Sequence, residues 1–216
     1  LLLFSDRGVA YALPAYRVPM SSRTAKGTPS VQLLPIPREE KITSLVAVDS
    51  FDNDCYLLML TRAGFIKRTS LSAFSKIRSN GLIAINLENG DALTWVRLSK
   101  EGDSVLIGSR TGMAIHFRLD INELRPLGRT ARGVKSMNLR KGDNLVSMDV
   151  LTSDLVDQLA KNDHLTKEID ENLEVKSSDG PWVLIASSFG LGKRVPVTQF
   201  RLQKRAGMGL RAIKFR

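Results

Sequence analysis

Four stretches of the chain open alike, with an apolar run, a few polar residues and then glycine: Leu1–Gly8, Leu57–Gly64, Val105–Gly112 and Val183–Gly190. A second apolar run follows each glycine, at Val9–Leu13, Phe65–Thr69, Met113–Leu119 and Leu191–Val197. Apolar runs on either side of a polar turn predict a β-hairpin, with Gly8, Gly64, Gly112 and Gly190 supplying the positive φ of the turn.

A second glycine follows each first one at a distance of 19, 17, 21 and 19 residues: Gly27, Gly81, Gly133 and Gly209. Basic residues precede it. Arg23-Thr24-Ala25-Lys26-Gly27 recurs as Arg129-Thr130-Ala131-Arg132-Gly133, and more loosely as Arg78-Ser79-Asn80-Gly81 and Lys204-Arg205-Ala206-Gly207-Met208-Gly209. Beyond the second glycine, apolar residues fall at Val31, Ile85, Met137 and Ile213, and two residues further at Leu33, Leu87, Leu139 and Phe215. That period of two predicts a strand with one buried face. Gly90-Asp91 and Gly142-Asp143 lead into further strands at Leu93–Val96 and Leu145–Val150, and Glu39-Glu40-Lys41 takes their place before Ile42–Val48.

The chain is thus built from repeats, at about residues 1–48, 55–98, 103–151 and 181–216. The hairpin glycines are 56, 48 and 78 residues apart, and removing the 29 residues Thr152–Gly180 shortens the last interval to 49. Residues 152–180 therefore form an insertion, for which a short helix is expected at Ser153–Asn162 with Ser153 as N-cap. Roughly four strands per repeat place the chain among all-β, propeller-like arrays of blades. The Gly-His/Trp-Asp and Gly-Gly signatures of other propeller families are missing.

Charge adds a partner class. The formal net charge of the 216 residues is +10. The insertion holds eight acidic and three basic residues, so the repeats carry +15 and the insertion −5. A basic surface of this kind points to a polyanion. Cys55 is the single cysteine, so no internal disulfide staples the fold. His116 and His164 have no ligand-spaced partners, and no metal site is expected. No run of 18 apolar residues is present, and no membrane span is expected. The opening Leu1-Leu2-Leu3-Phe4 reads as a fragment beginning within a strand.

The turn FSDRG at Phe4–Gly8, the RTAKG and RTARG loops, IRSNGLIAINLENGD at Ile77–Asp91 and GLGKRVPVTQF at Gly190–Phe200 resemble the C-terminal domain of DNA gyrase A, a component of a type II topoisomerase. The resemblance covers the chain apart from the insertion, and the residues before GPWVLI make it similar to the plant organellar branch. It implies a β-pinwheel, a disc of four-stranded blades that exchange strands, with six blades usual. It implies duplex DNA bent around a basic outer rim, supporting negative supercoiling by the whole enzyme. The implied partners are double-stranded DNA, the remainder of gyrase A, and gyrase B. ATP and Mg²⁺ would act elsewhere in that enzyme. The implied compartment is intracellular, a plant chloroplast or mitochondrion, or otherwise the bacterial cytoplasm. The family's Q-R-R-G-G-K-G box and its DNA-cleaving tyrosine are absent from these residues. The missing box leaves open a topoisomerase IV domain that steers DNA without strong wrapping. A propeller-like scaffold for an acidic protein is the reading from a different class.

Two sets of residues are candidates for DNA contact. The first lies beside the second glycines: Arg23, Lys26, Arg78, Arg129, Arg132, Lys204 and Arg205. Glycine lets a backbone N–H approach a phosphate, and arginine forks onto its oxygens. The second set follows the hairpin turns: Lys67, Arg68, His116, Arg118, Lys193 and Arg194. Such contacts would bind the backbone without reading bases, since neither a recognition helix nor an aromatic stacking platform is evident. No catalytic group is expected. Gly190-Leu191-Gly192-Lys193-Arg194 departs from the phosphate-loop spacing, and Asp52-Asn53-Asp54 lacks the ligand spacing of a calcium loop. Trp95 and Trp182 are expected in the core, Cys55 as a small core or edge residue, and His164 as incidental.

Overall fold

The structure, a computed structural model, describes residues 1–51, 54–155, 157 and 181–214. Its strands are β1 (Leu2–Ser5), β2 (Val9–Ala12), β3 (Ile42–Val46), β4 (Cys55–Thr61), β5 (Phe65–Ser70), β6 (Leu82–Ile83), β7 (Leu93–Lys100), β8 (Ser104–Ser109), β9 (Met113–Arg118), β10 (Val134–Lys135), β11 (Leu145–Leu151), β12 (Trp182–Ala186), β13 (Gly192–Pro196) and β14 (Leu210–Arg211). The fold is all-β, with a turn of helix, α1, at Ser30–Leu33. Two compact units divide the chain: Leu1–Ser99 with Leu124–Lys135, and Lys100–Glu123 with Ser136–Arg216.

Each expected hairpin forms, and each has the same turn. Gly8, Gly64 and Gly112 donate their N–H to the carbonyls of Ser5, Thr61 and Ser109 at 3.0 Å, and Gly190 donates to Ser187 at 3.1 Å. The residue opening the turn is Ser or Thr every time. In three copies its hydroxyl accepts a backbone N–H from just beyond the turn: Val9 on Ser5 Oγ, Phe65 on Thr61 Oγ1 and Leu191 on Ser187 Oγ. All eight turn glycines take the left-handed conformation, with φ between 74° and 96°.

In the first unit the sheets run β3-β1-β2-β6 and β10-β5-β4-β7; in the second they run β11-β8-β9-β14 and β12-β13. Every pairing described is antiparallel. The short strand after each second glycine pairs with the hairpin of the preceding repeat: β6 joins β2, β10 joins β5 and β14 joins β9. Blades therefore exchange strands, as the family resemblance implies.

That exchange corrects two details. The strand expected through Ile85 and Leu87 and their counterparts instead lies just before them and is two residues long, at Leu82–Ile83, Val134–Lys135 or Leu210–Arg211. Beyond it the chain turns inward, and the N–H groups of Ala84 and Ile85 both meet the carbonyl of Gly8, as those of Ala212 and Ile213 meet Gly112. The copy at Ser30–Leu33, expected as a strand, is helical. The Leu34 N–H donates to the Ser30 carbonyl at 3.0 Å and closes that turn.

The core of the first unit gathers Leu2, Phe4, Leu57, Met59, Phe74, Ile85 and Val96, with Phe4 edge-on to Phe74 at 6.2 Å. In the second unit Leu106, Ala114, Val195 and Phe200 pack together. Trp95 is only half-buried, and Trp182 is 39% exposed, so neither is the core residue expected; the Trp182 face instead carries the Arg194 guanidinium at 4.7 Å. Cys55 is half-buried at the start of β4. Residues 153–155 are helical, and the rest of the helix expected to Asn162 lies outside the described residues, as do His164 and Asp52-Asn53.

Candidate nucleic-acid interface

The loop before each exchanged strand is positioned by its glycine. A Cβ on Gly133 would stand 2.6 Å from the carbonyl oxygen of Ile66, and one on Gly209 would stand 2.4 Å from that of Ala114. Such distances exclude any side chain. The glycine therefore serves the close approach of the exchanged strand to the preceding hairpin, where the sequence reading assigned it to phosphate approach. A Cβ on Gly27 would meet nothing within 4 Å.

The basic residues of these loops divide by exposure. Arg23, Lys26, Arg78, Arg132 and Lys204 are exposed, while Arg129 and Arg205 are half-buried. Arg132 has a carboxylate partner in Glu88 and stacks on Phe65 with its guanidinium carbon 4.6 Å from the ring centre. Arg205 is tied to Glu123, its Nε donating to that residue's carbonyl at 3.0 Å. Among the described residues, Arg23, Lys26, Arg78 and Lys204 have no carboxylate partner.

Half of the second set, Lys67, Arg68 and His116, is internal, which corrects the expected role of those three. Lys67 and Arg68 are fully buried on β5, and His116 is 5% exposed on β9. Lys67 Nζ donates to the carbonyl oxygens of Gly128 and Arg129. Arg68 Nε donates to the carbonyl of Leu124, and the guanidinium lies 4.7 Å from the centre of the Tyr56 ring. At the equivalent place His116 Nδ1 meets the carbonyl of Phe200 at 2.6 Å, and Nε2 meets Ser104 Oγ at 2.8 Å. A neutral ring donating from Nδ1 leaves Nε2 to accept the serine hydroxyl. The main chain repeats the tie: Leu127 N–H donates to the Arg68 carbonyl and Gln203 N–H to the His116 carbonyl, both at 2.8 Å. These side chains fasten the segment that carries the next basic loop. Of the rest, Arg118 is half-buried, and Lys193 and Arg194 are exposed on β13.

Burial sets the protonation of this internal group. Desolvation, with the Arg129 charge adding to it, lowers Lys67 to about 7. Desolvation likewise lowers His116, outweighing its bond to Phe200. In the first hairpin, burial and the Glu40 carboxylate that accepts its hydroxyl hydrogen bond raise Tyr11 to about 12.

The Gly-Asp turns also acquire a role the sequence reading did not give them. Asp143 accepts the Thr111 N–H at 3.1 Å, the Thr111 hydroxyl at 2.6 Å, the Ser109 hydroxyl at 2.7 Å and the Asn144 N–H at 2.9 Å. Asp91 similarly takes the N–H groups of Ala63 and Ala92. The carboxylate pins the preceding hairpin turn to the next strand. Exposed cations that the sequence reading passed over stand at those turn tips: Arg7, Arg62 and Arg110. Their signal was an arginine between the Ser or Thr and the Gly of three of the four turns.

A family model described as DNA gyrase C-terminal domain, beta-propeller, matches residues 1–49, 56–100, 103–152 and 181–216. The DNA gyrase A polypeptide of Synechocystis sp. is 58% identical over 222 residues, spanning 100% of this chain and 26% of its own length. The chloroplastic/mitochondrial DNA gyrase A of Arabidopsis thaliana is 44% identical over 215 residues, spanning 100% of this chain and 22% of its own. The likeness to the plant organellar branch is therefore accompanied by a higher identity to a cyanobacterial relative. Among solved structures, the C-terminal domain of DNA topoisomerase IV matches with a TM-score of 0.76 at 27% identity, over 97% of this chain and 57% of that one. A DNA gyrase A C-terminal domain matches in fold with a TM-score of 0.70 at 24% identity, over 96% and 58%. The chain spans about a quarter of the length of these curated relatives.

Proposed function

The chain belongs to the DNA gyrase C-terminal domain family, and from that premise we propose that it binds duplex DNA through its phosphate backbone, without reading base sequence, and bends it as the DNA-wrapping part of a gyrase A polypeptide. The observation that carries this reading is the recurrence of exposed cations without carboxylate partners, Arg23, Lys26, Arg78 and Lys204, in the loops that lead to the second glycine of a repeat. Guanidinium and ammonium groups held in water by a fixed backbone suit phosphate oxygens, and contacts of this kind position a duplex without specifying its sequence. In the whole enzyme, the remainder of gyrase A and its partner gyrase B would supply DNA cleavage and ATP hydrolysis, and negative supercoiling would follow from the bend. The compartment would be intracellular, that of the DNA served. Bacterial proteins and chloroplastic/mitochondrial ones both occur among the relatives.

The fold match to a topoisomerase IV domain keeps one second reading, a domain that steers DNA without strong wrapping. A minicircle topology assay with the full-length polypeptide in its enzyme separates the two, because only wrapping introduces negative supercoils. The binding itself is tested by salt dependence. If roughly six phosphates are contacted, log K falls against log salt with a slope of about −5. Affinity independent of salt contradicts the proposal.

A further inference from the structure

In the second unit, a groove of about 610 Å³ opens beside the β8–β9 hairpin turn. Four cations line it, Arg110, Arg140, Arg211 and Lys214, together with Thr111 and Gly142. They come from three separate stretches of chain. Arg110 is in the hairpin turn, and its N–H donates to the Asn144 carbonyl at 2.8 Å. Arg140 precedes the Gly142-Asp143 turn, which Asp143 fastens to Thr111. Arg211 is on the exchanged strand β14, opposite Met113 in register, and Lys214 follows three residues later.

All four are exposed, and among the described residues none has a carboxylate partner. No carboxylate lines the groove. Asp143, the nearest acid in sequence, is occupied by two N–H groups and two hydroxyls.

The fold does not demand this charge. At the corresponding places around the first hairpin stand Asp6, Pro37, Ile83 and Asn86, and that sheet closes the same way. Around the second hairpin, Arg62 gives its guanidinium to the Gly90 carbonyl, and Glu88, where the third repeat has Arg140, is paired with Arg132. Like charges brought together without structural need repel one another, and an anion between them relieves the repulsion. Three guanidinium forks and one ammonium match the oxygens of neighbouring phosphates better than a single carboxylate.

We infer that this groove is a phosphate-anion site that seats adjacent phosphodiesters of duplex DNA, making the third repeat an anchor distinct from the basic loops. The identity of the ligand as duplex rests on the proposed function; the phosphate chemistry rests on the groove.

The test compares the parent chain with Arg211→Ala/Lys214→Ala and, because β14 is a paired strand, with Arg110→Gln/Arg140→Gln, which alters turn positions only. Labelled duplex is titrated across a salt series, and inorganic triphosphate is titrated while the amide signals of Thr111 and Met113 are followed. The expected result is a salt slope shallower by about 2 in each double variant, with triphosphate shifts in the parent that vanish in the variants. Triphosphate shifts with an unchanged slope would make the groove a free-anion site and overturn its assignment to duplex. An unchanged slope without shifts overturns the inference entirely while leaving loop-mediated binding standing. A parent chain that binds no duplex overturns the proposed function, and the triphosphate arm alone then decides whether the groove is an anion site.

Discussion

Lys67, fully buried on β5, hydrogen-bonds the carbonyl of Arg129, so one repeat's hairpin holds the basic loop of the next. The folded value of about 7 lies well below the ordinary lysine value, 10.5, because burial penalises the ammonium. Between these values the unfolded chain binds more protons than the folded one, so this group's stability contribution is fully present above the unfolded value and is lost as pH falls through about 7. A neutral amine keeps two hydrogens, enough for the Gly128 and Arg129 carbonyls. The stability difference between the parent and Lys67→Met, measured by urea unfolding, should therefore widen in the parent's favour from pH 7 to pH 10. A constant difference over that range contradicts a buried, easily deprotonated Lys67.

Arg68 provides the test of internal against DNA-facing roles. Its guanidinium is committed to the Leu124 carbonyl and the Tyr56 ring. Arg68→Ala removes that packing and leaves a carbonyl unpaired, at a cost of about 3 kcal/mol. Salt-dependent DNA titration under folding conditions should give the parent's slope, since no phosphate contact is lost. A shallower slope with unchanged stability would return Arg68 to the interface.

Gly133 and Gly27 share a left-handed conformation, φ 96° and 75°, but differ in surroundings. Gly27→Ala pays the conformational cost alone, roughly 1–2 kcal/mol. Gly133→Ala adds a methyl 2.6 Å from the Ile66 carbonyl, which must displace β10. Chemical unfolding should show the second variant to be the less stable by at least ~1 kcal/mol. Equal losses contradict the role of Gly133 in admitting the exchanged strand.

The hairpins were legible because their signal is local: a Ser or Thr, two residues and a glycine between apolar runs. The destination of the strand after Gly81 or Gly133 was not, since composition there says nothing about which hairpin it joins. For the same reason Lys67, Arg68 and His116 read as surface cations. Their partners, Gly128, Leu124 and Phe200, lie 56 to 84 residues further along the chain, and only the exchange brings them together. Arg23, Lys26, Arg78 and Lys204, free of such partners among the described residues, stand where the sequence put them.

Those four residues carry the central claim, because bending must be offset by several contacts acting together. Smooth bending of a 20–30 bp site through 40–90° costs about 1–6 kcal/mol. The direct measurement is end-to-end energy transfer on a doubly labelled duplex, taken at saturating protein for the parent and for Arg23→Ala/Lys26→Ala/Arg78→Ala/Lys204→Ala. The account predicts efficient transfer with the parent and transfer close to that of free duplex with the variant, even when both are fully bound. Equal transfer from the two saturated complexes would contradict it.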